Sequence, residues 1–250
     1  MIWRAAWLVA TLVCLAGSGA AKTIQAARFT DPTTRYDHGV LGDAVQYGGL
    51  QITVLSSSGK RLTRSIALPA SHVFEDIAPR LWDVTGDGLL EVVVIETDVA
   101  RGVALAVYGP DGKLAETPHI GRTNRWLASI RAADLDGDGT IELAYVDRPH
   151  LVKELRVWSF VNGDLRPLAR ASGLTNHRIG EDFISGALIQ CKGIPTIITA
   201  NADWSRRIGT VLQTGRLISR DLGPFAGRQS LERCLIMMRL KGRANRYRSG

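Results

Sequence analysis

The sequence predicts an all-β protein: a β-propeller of four recognisable four-stranded blades, either complete as four or closed by an incomplete fifth from the two termini. Three observations carry that expectation. Short apolar strands recur at intervals of about 40–55 residues, the spacing of propeller blades. Turn residues fall at matching places in each recurrence. No stretch after residue 21 shows a helical period of useful length.

The repeat is clearest where Asp83 aligns with Asp134, 51 residues further on. A short apolar beat precedes each, at 77–82 and 127–133. An apolar strand follows at 91–97 and 141–147, then a second at 103–108 and 154–160. The turns Gly109-Pro110-Asp111-Gly112 and Asn162-Gly163-Asp164 lead to closing strands at 113–120 and 165–171. Upstream, residues 40–46, 50–55 and 61–68 repeat the order around the turn Ser57-Ser58-Gly59-Lys60. Downstream, 184–191, 194–200, 208–213 and 216–222 repeat it around Thr214-Gly215. Similar linkers, His72-Val73-Phe74-Glu75-Asp76 and His177-Arg178-Ile179-Gly180-Glu181-Asp182, lead into two of the units. Residues 23–29 read as a fourth strand and 231–238 as a first strand, which together would make the closing fifth blade. Closure is expected because an open ring leaves unpaired edges.

Residues 1–21 read as a secretory signal. Arg4 gives the positive start, residues 5–16 are apolar apart from Thr11, and Ser18 and Ala20 are the small residues of a cleavage point. This run of twelve falls short of the roughly 20 residues a spanning helix needs. An uncleaved anchor is the competing reading. The location expected is periplasmic or secreted, with no transmembrane segment left after cleavage. Cys191 and Cys234 then remain, either paired in an oxidising compartment or as separate buried thiols.

The formal charge is +7, yet residues 228–250 hold seven bases and one acid. Residues 22–227 balance at 23 bases and 23 acids, so nucleic acid is not an expected partner. Residues 239–250 form a basic tail suited to weak contact with an anionic surface, or to no contact at all.

Asp134-Leu135-Asp136-Gly137-Asp138-Gly139-Thr140-Ile141-Glu142 has the spacing of a calcium loop. Asp134, Asp136, Asp138 and Glu142 supply carboxylates, Thr140 a backbone carbonyl, and Gly137 the sharp turn. Position 12 is Tyr145 rather than Glu, so this is not an EF-hand. Asp83, Thr85, Asp87, the Leu89 carbonyl and Glu91 repeat the pattern with one charge fewer, so weaker binding is expected there. A bare turn in which Asp side chains bond their own backbone is the alternative for both.

Within four-stranded repeats, residues 134–142 resemble the FG-GAP/VCBS repeat family, which includes the calcium-bearing blades of integrin α-subunit propellers. The likeness covers about 28–238 as architecture and is motif-specific at 83–92 and 134–143. It implies a β-propeller with Ca2+ in its blade loops and an extracytoplasmic binding role.

Taken together, the residues point to a calcium-stabilised, non-catalytic binding or scaffold module for a protein or glycan. One alternative is a hydrolase or lyase with His38, His72 and His177 gathered at the central channel. Another is a lectin-like protein reading sugars through Trp126 or Trp204.

Overall fold

The computed structural model describes residues 22–42 and 44–233. The signal at 1–21, the tail at 239–250, Cys234 and most of the expected closing strand at 231–238 lie outside them. Among the described residues the chain is built from antiparallel β-strands and one short 3-10 turn, Arg228–Glu232, with no helix long and apolar enough to cross a membrane.

The first unit consists of β1 (Thr23–Thr33), β2 (Gln46–Leu55) and β3 (Arg61–Ala67), with β2 in the middle. The second has β4 (His72–Phe74) and β5 (Arg80–Trp82) side by side along β6 (Glu91–Asp98), followed by β7 (Gly102–Gly109) and β8 (Gly112–Glu116). The third runs β9 (Leu127–Ala133), β10 (Glu142–Asp147), β11 (Glu154–Val161) and β12 (Asp164–Ser172) in simple order. In the fourth, β13 (Leu174–Thr175) and β14 (Ala187–Cys191) both pair with β15 (Ile194–Asn201), followed by β16 (Arg206–Gln213) and β17 (Arg216–Pro224). The first strand is therefore split by a loop in the second and fourth units. In the third it is continuous, with a bulge opposite Ala144 and Tyr145.

Strand periodicity explains how the units pack. Successive side chains of β6 point to opposite faces. Val92 and Val94 pack with Leu50 and Ile52 of the first unit, whereas Val93 and Ile95 pack with Leu143 and Tyr145 of the third. On β10, Ala144 turns the other way, towards Ile197 and Leu212 of the fourth unit. Inner strands buried on both faces read as near-continuous apolar runs. Units packed in chain order, the first two also joined into one sheet by the Tyr47–Phe74 pairing of β2 with β4, each bury what the neighbour leaves open and make a propeller-like arrangement.

Two expectations need correction. Residues 23–29 do not belong to a closing fifth blade: β1 zips along β2, from Thr23 opposite Leu55 to Thr33 opposite Gln46. Nor is 40–46 a strand; Val40 and Leu41 lie in a turn, and the strand starts at Gln46. The pairing of β1 with β2 fills the place that 40–46 was expected to take. Leu231 is fully buried, but in the 3-10 turn rather than in a strand. Arg207 holds that turn: its guanidinium donates to the carbonyls of Leu222, Pro224, Ser230 and Arg233. Trp82 and Trp158 are core residues, and Cys191 is in a disulfide whose partner lies outside the described residues.

Candidate functional site

The two acidic loops join the first and second strands of adjacent units, 83–90 between β5 and β6 and 134–141 between β9 and β10. They fold alike, with one added amide bond to Glu91 in the first. Asp134 accepts from the Gly137 and Gly139 amides at 2.7 and 3.0 Å. Asp83 accepts from Gly86 and Gly88 at the same distances. The Thr140 amide donates to Asp138 and the Leu89 amide to Asp87. Glu142 and Glu91, the first residues of β10 and β6, are buried and turn back to accept from Leu135 and from Val84 and Thr85. Gly137 and Gly139 have φ of 84° and 87°, Gly86 and Gly88 of 77° and 83°. This left-handed backbone is open to glycine and costly to most other residues.

The donor set is all oxygen. One ligand atom from each of Asp134, Asp136 and Asp138 falls within 4.8 Å of the others. Burial, and then the charges of those three aspartates, push the Glu142 carboxyl up to about 7 against the pull of the Leu135 amide. Burial likewise raises Glu91. So much negative charge around a buried carboxyl fits a hard cation such as Ca2+. Thr85 replaces Asp136 in the other loop, leaving it with fewer charges. The loops are also neighbours: a Cβ on Gly86 would lie 3.4 Å from Ile141 Cγ1 and 3.9 Å from the Gly139 carbonyl oxygen.

The expected trio of His38, His72 and His177 does not form one site. His38 and His177 are joined through Glu75, Trp126 and His150, of which the sequence left only His150 unmarked. His38 Nδ1 meets Glu75 Oε1 at 2.5 Å, Thr97 donates to the other Glu75 oxygen, and the Trp126 indole donates to the Glu75 carbonyl. His150 Nε2 and His177 Nδ1 are 2.8 Å apart, and His177 Nε2 donates to the Glu181 carbonyl. The Trp126 ring lies parallel to His150 and edge-on to His177. Burial, then the neighbouring His177, pull His150 down to about 4, and burial also lowers His177. His38, Arg125, Trp126, Arg148, His150 and Ile179 line a cavity of about 260 Å³ here. The matching linkers flagged Glu75 and Glu181, but nothing near His150 in sequence hints at its place. His72 instead faces Asp98 and His119.

The tryptophans named for sugar binding are engaged elsewhere. Trp126 is 2% exposed. The half-buried Trp204 has the Arg178 guanidinium 4.2 Å over its ring and Phe225 edge-on.

Residues 83–145 match the family model of the FG-GAP-like repeat. That segment runs from the first acidic loop through the second and into β10, the part of the chain where the two loops touch. No curated protein matches the chain. Among solved structures, the rhamnogalacturonan lyase YesW aligns with a TM-score of 0.40 and 14% identity, over 73% of this chain and 44% of that one. The chain therefore spans less than half the length of that enzyme.

Proposed function

We propose that this protein is a secreted or periplasmic β-propeller of four blades, stabilised by Ca2+, that serves as a non-catalytic binding or scaffold module for a protein or glycan. The twinned acidic loops carry the reading, since two adjacent units repeat the same spacing and the same amide bonds to the leading aspartate, with Thr85 in place of Asp136. Asp134, Asp136, Asp138, Thr140 and Glu142 would hold one ion, and Asp83, Thr85, Asp87, Leu89 and Glu91 a weaker one. The ion supplies charge compensation, letting buried Glu142 stay ionised. The protein's own residues fix the strand connections and so the angle between blades. The Cys191 disulfide supports an oxidising compartment. Metal analysis of the purified protein and thermal melts with calcium or chelator test the reading. Unchanged melting together with no bound calcium would refute it.

The cavity beside Trp126 favours a second reading, a hydrolase or lyase site. A His–Glu contact at 2.5 Å next to a neutral histidine pair is able to move protons. Activity on glycan substrates that is lost in His150→Gln would support it. A screen with no turnover in the wild type would remove it.

A further inference from the structure

A cluster of two histidines and an aspartate lies in the second unit, away from the acidic loops. We propose that His72, His119 and Asp98 bind one divalent transition metal of the zinc class, pinning β4, the end of β6 and the segment after β8 to one another. One ligand atom from each of the three falls within 4.8 Å of the others. Donors around a tetrahedral zinc stand about 3.4 Å apart, given Zn–N bonds of ~2.0–2.1 Å, so small side-chain rotations close the site.

The independent sign is the state of His119. Its side chain is 5% exposed. Its Nδ1 lies 2.7 Å from the Gly102 carbonyl oxygen, which can only accept, so Nδ1 carries the proton. In the neutral ring Nε2 is then a lone pair, and it is buried without a hydrogen-bond partner. A buried imidazole with one nitrogen tied to a carbonyl and the other unsatisfied is preset as a metal ligand. His72 offers its Nε2 to the same place, facing Asp98 Oδ2 at 3.8 Å, while its Nδ1 lies 2.9 Å from Ser71 Oγ. Position is fixed by the backbone. His72 pairs directly with Asp98 across β4 and β6, and Asp98 with Gly102 across β6 and β7. The Ile120 amide, beside His119, bonds the Val103 carbonyl.

The charged groups around the site are Arg101, Glu116 and Lys113. Arg101 Nε donates to Asp98 Oδ2 at 2.6 Å, so the metal would share that carboxylate or displace the arginine. The Arg101 side chain is 58% exposed and free to swing out. Glu116 Oε1, 3.9 Å from His119 Nε2, is a fourth donor within reach, its other oxygen being held by Lys113. Two imidazoles and a carboxylate suit zinc, copper or nickel better than calcium, which prefers oxygen alone.

Zinc titrated calorimetrically into the purified protein, with calcium already saturating, should bind at one equivalent. His119→Gln and His72→Gln should each weaken it by about tenfold or more, with circular dichroism confirming that the variants fold. Should they not fold, cobalt(II) added to the wild type should give visible absorption that saturates at one equivalent and is abolished by zinc. Equal zinc affinity in wild type and folded His119→Gln overturns the proposal, as does cobalt absorption that never saturates.

Discussion

Single residues set the pH response. In calcium-free protein Glu142 titrates at about 7, above its ordinary 4.5. The folded state thus holds the proton more tightly, and this contribution to stability is full below pH 4.5 and lost as pH rises through 7. Calcium held as proposed would keep Glu142 ionised, so that loss should disappear. Melting temperature followed against pH in chelator and in calcium checks this, and Glu142→Gln should flatten the chelator curve. His150 acts in the opposite sense. It is pulled from 6.5 to about 4, so folding favours the neutral ring, and stability falls as pH drops from 6.5 towards 4. In saturating calcium, His150→Gln should reduce that acid loss. Arg207 is a different case, since all four groups that accept its hydrogen bonds are carbonyls. Arg207→Ala should cost about 3 kcal/mol by urea denaturation, because four carbonyls lose one charged, buried donor together.

At the scale of elements, tight connections matter more than the strands. Gly102 opens β7 with φ of 78°, and a Cβ there would lie 2.2 Å from the Arg122 carbonyl oxygen. Gly102→Ala must therefore move backbone, and a loss of roughly 2–4 kcal/mol in a denaturation curve is expected. Since Gly102 also supplies the carbonyl that orients His119, the same variant should lower zinc affinity. The Asn162-Gly163 turn was readable because both residues adopt positive φ, the form a two-residue hairpin needs. The β1–β2 pairing was not readable. Twelve residues separate the two strands, and no short turn announces their partnership.

For the whole molecule, stability is shared between neighbours. Leu143 sits in the core between the second and third units, while Ala144 beside it serves the next core along. Leu143→Ala should cost about 3 kcal/mol. Because the cores connect successive units, the loss should appear as a shift of one cooperative transition seen alike by fluorescence and circular dichroism. Two melting steps would show that the units fold separately. Sequence alone determined the all-β class, the order of most strands, the hairpin turns and both acidic loops. Each of these is a local property, written in side-chain alternation, turn residues or donors within nine consecutive positions. Tertiary structure decided the rest. It placed β1 beside β2, split the linker histidines between two sites, buried Trp126, and brought His119 to His72 and Asp98. Those groupings draw on segments tens of residues apart, and only the registers of the strands and the stacking of the units bring them within bonding distance.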